Sequence, residues 1–385
     1  MAAEDGTDDL TRTVLELKLR ERSQTLAEFV EDAERFARTF GETGTLSVRH
    51  LQRLISGRKP DGRPRPATAR LLERMLGLPI DDLLSSPDVV RGPVEAAEEE
   101  LRQRLSAARR VNADVLALLE DQLTAVRRLD RQLGASTAHE EVSTKVRQIT
   151  RLRSHSLTPG VRSQLGALLA EFGTLAGWQQ LDMGFVGDSW QFYERAKAAA
   201  RESGDAAFEV HTAAEQAFVL IDVEETASAV ELLQATEQRA QRVAGRLLRS
   251  WLAAAHGEAL AADGQRSASM RAFDRAAGLL PADVSAVDGP YVVLDPVHLA
   301  RWRGHALARV GEPDAVDVLS TALSRLDPTF TRAETGLRVD LATAFFAMGE
   351  RVEGRAHAQR ARTLAVEIGS VRQQRRIARL IGLAN

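Results

Sequence analysis

From about Val142 to its end the chain repeats one plan. An Ala/Leu-rich amphipathic segment runs into a short turn, and a second amphipathic segment follows. The turn markers are Asp182-Met-Gly184, Asp222, Asp263-Gly264, Gly311-Glu-Pro313 and Gly349, spaced 38 to 47 residues apart. Phe192-Tyr-Glu-Arg-Ala-Lys-Ala-Ala-Ala-Arg201 and Ala356-His-Ala-Gln-Arg-Ala-Arg-Thr-Leu-Ala365 are two of the segments that follow such turns. One helix pair cannot bury its own apolar face, so pairs recurring at about forty residues must stack on their neighbours. The expectation for residues 136–385 is therefore an α-solenoid of helix hairpins. Composition agrees, because 44% apolar residues with only 5% aromatics, rich in Ala and Leu, favour helix over sheet.

Upstream, residues 87–135 read differently. Pro87, Gly92 and Pro93 mark a linker, and Val94 to Leu133 then runs without Pro or Gly. Leu101, Leu105, Ala108, Asn112, Val115, Leu119, Gln122, Val126, Leu129 and Leu133 alternate spacings of four and three, which is a heptad seam with two polar interruptions. Two readings are open for this long connecting helix. It packs on the domain that follows, or it pairs with a second copy to make a homodimer in which Asn112 helps set register.

Residues 1–86 predict a domain of short helices. A first helix lies within Leu10–Arg22. Thr25-Leu-Ala-Glu28 is a capping box, in which the Thr hydroxyl accepts a backbone N–H and the Glu reaches back. It opens a second helix through Phe40, which Gly41-Glu-Thr-Gly44 breaks. Ser47 is a good N-cap for a third helix with Val48, Leu51, Leu54 and Ile55 on one face and Arg49, His50, Gln52 and Arg53 opposite. Pro66 and Gly77 bracket a fourth helix, and a one-turn helix closes the segment near Leu84. The whole chain carries net charge −3, yet Ser47–Arg74 holds eight basic residues against two acidic ones. A basic patch on an acidic body is a phosphate-binding footprint.

Ser23-Gln-Thr-Leu-Ala-Glu28, Val48 to Gly57 and Arg70 to Leu84 together resemble a lambda-repressor-like (XRE-type) helix-turn-helix domain with a lengthened second helix and following loop. Leu175-Ala-Gly-Trp-Gln-Gln-Leu-Asp-Met-Gly184, Phe192-Tyr-Glu-Arg-Ala and Ala200-Arg-Glu-Ser-Gly-Asp205 resemble the first repeat of large actinobacterial regulators that join such a domain to a tetratricopeptide array. The resemblance covers nearly the whole chain. It implies an all-α protein: a five-helix DNA-binding domain (1–86), a connecting helix (87–135) and a tetratricopeptide-like repeat domain (136–385). One departure stands out, since many members have Trp-Glu before the Gly that ends helix three, where this chain has Leu54-Ile55.

The resemblance implies a transcriptional regulator that binds a palindromic double-stranded DNA operator. Helix three would enter the major groove. Arg49 and Arg53 lie one turn apart, and each can donate two hydrogen bonds to guanine, while Gln52 suits adenine and His50 is a further groove contact. Gln24, at the start of helix two, matches a position near a phosphate, Thr25 and Ser47 are further DNA-binding candidates, and Arg58, Lys59, Arg63 and Arg65 in the loop after helix three would clamp the backbone. The helical array would sense a peptide, small-molecule or protein effector. Regulators of this kind that sense peptides clamp the peptide backbone with Asn side chains, and this chain has only Asn112 and Asn385. Trp178, Trp190, Tyr193, Trp251, Tyr291, Arg301 and Trp302 are the candidate ligand contacts, although packing between helices is the commoner role of such aromatics. The alternative reading is a protein-interaction scaffold whose N-terminal domain is vestigial.

Catalysis is not expected. No Gly-x-x-x-x-Gly-Lys, Gly-x-Ser-x-Gly or His-Glu-x-x-His motif occurs. Gly187-Asp-Ser189 precedes an amphipathic helix and reads as an N-cap, with no base at a telling spacing. Cysteine is absent, which excludes disulfides, thiolate chemistry and Cys-ligated zinc and fits a reducing cytosol. His298 and His305 could share a helix face, but no third metal ligand accompanies them. Neither cofactor nor metal is expected. The acidic N-terminus lacks the apolar run of a signal peptide, and no window approaches the length of a transmembrane helix, so a cytoplasmic location is the expectation.

Overall fold

The computed structural model describes residues 12–22, 24–56, 64–282, 291–292 and 294–384. Every regular element among them is an α-helix, and the chain divides into two units, Met1–Gln103 and Arg104–Asn385. No helix among the described residues is long and apolar enough to cross a membrane.

The first unit contains α1 (Val14–Glu21), α2 (Leu26–Phe40), α3 (Val48–Ile55), α4 (Pro66–Leu76) and α5 (Ile80–Leu83). Local chemistry sets each boundary. Thr13 caps α1, and Thr25 and Glu28 make the reciprocal capping box of α2. Ser47 accepts the His50 backbone N–H at 3.2 Å to start α3, Pro66 starts α4, and Gly41 and Gly77 end α2 and α4 in the left-handed conformation. Leu15, Phe29, Leu51, Leu71, Leu72 and Leu83 interlock as one core, and the Val14 N–H bonds the Ser85 carbonyl to tie the two ends together. Leu54 is 7% exposed within this core and Ile55 packs on its edge.

Along the chain α6 (Pro87–Arg109) follows, and then a break. The expected single helix from Val94 to Leu133 does not form. Residues 110–112 leave the helix, and the Asn112 side chain accepts the Val115 N–H at 3.0 Å as the N-cap of α7 (Ala113–Leu133). The heptad seam is thereby cut at its centre. Its lower half, with Leu119 and Val126 joined by Leu116 and Leu123, is buried against this unit's own α8 and α9. Leu101, at the upper end, is 50% exposed. Asn112 is a cap and not a register residue, so the seam provides no homodimer interface through α7. A short polar side chain competes for backbone donors and so favours a helix start over a helix interior.

From α7 the second unit winds as consecutive antiparallel pairs: α8 (Ala135–His155), α9 (Pro159–Asp182), α10 (Val186–Ser203), α11 (Ala206–Asp222), α12 (Thr226–Val243), α13 (Arg246–Ala262), α14 (Arg266–Leu279), α15 (Pro296–Arg309), α16 (Ala315–Ser324), α17 (Thr331–Ala347), α18 (Arg351–Glu367) and α19 (Val371–Ala384). Each helix packs on its neighbours in sequence, and α9, α11, α13, α15, α17 and α19 also touch one another in order. The array then closes, because α17 reaches α7 and α19 reaches α9.

Gly177, Ser189 and Tyr193 reveal the repeat register. The Ser189 hydroxyl donates to the Gly177 carbonyl at 2.7 Å, and the Tyr193 ring lies where a Cβ on Gly177 would point. Gly257, Ser269 and Phe273 repeat the arrangement, with the same 2.7 Å bond and the same ring over glycine. A small residue a few positions before an aromatic, facing a small residue on the preceding helix, is the close packing that tetratricopeptide helix pairs use. Ser189 is thus an interior helix residue locking two helices together, not the expected N-cap, since α10 begins at Val186. The turns also sharpen. Gly184, Glu224 and Gly264 take positive φ, so the second marker is Glu224 rather than Asp222 and the interval is 40 residues both times.

Candidate functional sites

In the first unit α3 buries Leu51 and Leu54 and exposes Arg49, Gln52 and Arg53, with His50 half-buried between them. Arg65 is exposed at the start of α4. Partial burial, then the charges of Arg53 and Arg65, hold the His50 pKa below its ordinary value, so two arginines from different elements converge on one face. Other candidates on this face are engaged locally. Thr25 is bonded through its hydroxyl and its N–H to Glu28, and Gln24 donates its side-chain amide to Asp32 at 2.5 Å. Ser47 spends its hydroxyl oxygen on the His50 N–H. Arg58, Lys59 and Arg63 lie outside the described residues.

The second unit encloses a cavity of about 560 Å³. Nearly all its wall comes from alternate helices α7, α9, α11, α13, α15, α17 and α19, the first helix of each pair. Trp178, Trp251, Tyr291, Arg301 and Trp302 line it as candidates from sequence. Trp190 and Tyr193 do not. They lie on the outer helix α10, where Tyr193 is fully buried over Gly177 and Trp190 packs on the core.

Ion pairs between distant repeats close this cavity. Arg332 on α17 donates to Asp130 on α7 and, at 3.1 Å, to Asp182 on α9. Ser370 also reaches Asp182, at 2.6 Å. Arg372 on α19 grips both oxygens of Asp222 at 2.8 and 2.9 Å. The two guanidinium groups lie 5.5 and 5.4 Å from the Trp178 ring centroid, a pair of cation–π contacts each of about 0.5–2 kcal/mol. Burial disfavours the Arg372 charge, but Asp222 outweighs it and raises the pKa.

A second network lies along α15. His305 donates to Asp340 at 2.7 Å and faces Glu258 at 3.4 Å; Arg376 also bonds Asp340, at 2.6 Å, and Trp302 donates its indole N–H to Glu258. Burial opposes the charged imidazole, yet Asp340 and Glu258 raise its pKa. In return, against the cost of burial, His305 and its neighbours hold Glu258 and Asp340 at about 2. Both carboxylates favour the charged form of the imidazole.

Aromatic rings complete the wall. His211 stands 4.7 Å from Trp251 and 5.1 Å from Tyr291, and Trp251 stands 5.6 Å from Trp302. His211 is 3% exposed with neither ring nitrogen hydrogen-bonded, and burial drives its pKa down to about 3. Sequence reasoning did not select His211, Asp130, Asp222, Arg332, Arg372 or Arg376.

No family model matches the chain, and no curated protein matches it. Solved structures with similar coordinates include a Podosopora anserina putative kinesin light chain with nearly identical TPR-like repeats, at 16% identity over 51% of this chain and 94% of that one, with a TM-score of 0.33. Another is the TPR domain of P58(IPK), at 12% identity over 95% of this chain and 98% of that one, with a TM-score of 0.25. At such scores the assignment of a tetratricopeptide-like array rests on the Gly177–Ser189–Tyr193 register instead.

Proposed function

We propose that the chain is a binding protein, not an enzyme, whose helical-repeat array holds a ligand inside its closed superhelix. The observation that carries this reading is the convergence of seven alternate helices, with charged and aromatic side chains, on one cavity. Its size falls within the range of small-molecule pockets, about 300–1,000 Å³. The chemistry favours recognition over turnover, because His305 is engaged between two carboxylates and the Thr174 hydroxyl is bonded to Thr212 at 3.0 Å. Hydrogen–deuterium exchange of the full chain, with the small-molecule and macromolecular fractions of the source cell's extract, tests the idea. Slowed exchange in α11, α13 and α15 with the small-molecule fraction supports it. Protection of outer helices by the macromolecular fraction alone would favour a protein scaffold, and no protection by either would overturn the binding reading.

A second reading concerns the first unit. The exposed face of Arg49, Gln52 and Arg53 on a capped helix, with Arg65 nearby, suits a duplex major groove flanked by phosphates. With the resemblance to helix-turn-helix regulators, it supports a DNA-binding protein whose array responds to the ligand. Selection of bound genomic fragments by the intact protein should enrich a shared sequence, and Arg49→Ala should cost about 1–3 kcal/mol with relaxed preference at one base pair. Failure to enrich any sequence would remove this second reading and leave the first intact.

A further inference from the structure

The cavity's charges are not all spent on closing it. Asp130 and Asp182 are matched by Arg332, Asp222 by Arg372, Asp340 by Arg376 and His305, Glu258 by His305, and Glu171 by Arg127 at 2.8 Å. Arg301, also in the wall, has no carboxylate within 4 Å among the described residues. Arg131, in the wall from α7, bonds the backbone carbonyl of Arg127 at 3.2 Å and likewise lacks a carboxylate at that range among the described residues. His298 lies close enough to feel both charges, with Asp295 beside it at 2.7 Å. Burial, the largest influence on Arg301, lowers its pKa, and the nearest acids, Asp340, Asp295 and Glu258, act on it only from a distance. Arg301 is half-buried and faces no carboxylate at close range among the described residues, so its charge is left for an anion arriving in the cavity. One carboxylate in the wall opposes this trend: Glu215, whose near neighbour is His211 at 3.7 Å.

The same wall carries a chain of aromatic rings, His211, Trp251 and Trp302, each tilted against the next, by 45° and 61°. His211 belongs to the wall, is buried, and hydrogen-bonds through neither ring nitrogen, with Glu215 3.7 Å away. Rings of this kind stack offset or edge-on against a planar guest. α17 packs on α7 and α19 on α9, so both ends of the array contribute to the wall of one compact cavity.

We propose that the cavity binds a small molecule with a planar aromatic body and an anionic group, the body against His211, Trp251 and Trp302 and the anion on Arg301 and Arg131. This inference rests on the reading of the array as a ligand-binding chamber and adds the chemical class of the ligand.

Calorimetric titration of the full chain tests it with three probes: naphthoate, naphthyl phosphate and the uncharged naphthamide. At least one anion should bind about tenfold or more tightly than the amide, as one charge-assisted contact requires. Whether carboxylate or phosphate is preferred identifies the anion. Arg301→Gln should cut that preference several-fold, and Arg301→Lys should retain more of it. Equal binding of anions and amide, or no binding of either anion at millimolar concentration to the folded chain, would overturn the inference. If cell extract still protects α11 and α15 in exchange measurements, only the ligand class has failed and the binding reading stands.

Discussion

Arg332 on α17 donates to Asp130 on α7, 202 residues earlier in the chain. It is one of the contacts that close a row of helix pairs into a ring, together with Arg372 on Asp222 and Ser370 on Asp182. Arg332 binds a second acid from the next inner helix, Asp182, so one fork-shaped cation joins the end of the array to two helices at its start.

Arg332→Met should therefore open the ring. It strands two buried carboxylates, and removing one partner of a buried ion pair costs about 3–5 kcal/mol. The melting temperature should fall, and α17 and α19 should exchange amide hydrogens faster than α11 and α13. Uniform loss of protection across the array would instead mean that the clasp supports global folding and not closure.

The glycines of the register separate two effects of the same substitution. A Cβ on Gly257 would meet the Phe273 ring at 2.7 Å, so Gly257→Ala should destabilise the array by about 1–3 kcal/mol through overpacking. Gly336, inside α17, has nothing within 4 Å of that position, and Gly336→Ala should stabilise by about 0.5–1 kcal/mol through helix propensity. Denaturant melts of the two variants should move in opposite directions.

Much of the local architecture was legible because it depends on neighbours in sequence. The Thr25–Glu28 capping box, Ser47, Pro66 and Gly77 each act within one turn, and each sits where its chemistry predicts. Asn112 was misread because a heptad spacing persists across a helix break, while a cap needs only the backbone three residues on. Asp182 and Asp222 were read as turn formers, yet they occupy equivalent ends of α9 and α11 and take Arg332 and Arg372 from the far end of the array. Pairs separated by 150 residues or more leave no local spacing to find. The period itself held the clue, since an acid recurring at the end of successive inner helices points to one interior. His211 carried no such signal, because its lack of partners is a property of the assembled chamber.

Glu224 is the non-glycine residue with positive φ, at 68°, among the described residues, and it stands where Gly184 and Gly264 stand one repeat away. The left-handed conformation costs an ordinary residue about 1–2 kcal/mol, while glycine adds about 0.4–1 kcal/mol of unfolded-state entropy. Strain relief outweighs that entropy, so Glu224→Gly should stabilise the array by up to about 1 kcal/mol despite losing the exposed ion pair with Arg379. Glu224→Val should destabilise it, because a β-branched residue tolerates this region worst. Thermal melts of both variants against the parent chain check the ordering.

Glu215 and His211 titrate in opposite senses within one chamber. Burial is the main cause in both cases: it raises the Glu215 pKa from 4.5 to about 7, with Glu258 adding to the shift and Arg372 opposing it, and lowers that of His211 from 6.5 to about 3. The folded chain keeps a proton on Glu215 that the unfolded chain releases, so this stabilising contribution is whole below pH 4.5 and is lost as pH rises through about 7. His211 works the other way, its contribution being present above pH 6.5 and lost as pH falls towards about 3. Between pH 4.5 and 6.5 the two slopes oppose each other, which would hide both in a stability profile of the parent chain. Glu215→Gln, which mimics the protonated acid, should uncover the His211 slope. The gain over the parent should be absent near pH 4.5, grow to pH 7 and level off above it, with a ceiling on the order of 3 kcal/mol. Chemical denaturation of both proteins from pH 4.5 to 8 reads the difference directly, and a gap that does not change with pH would assign the effect to packing rather than to ionisation.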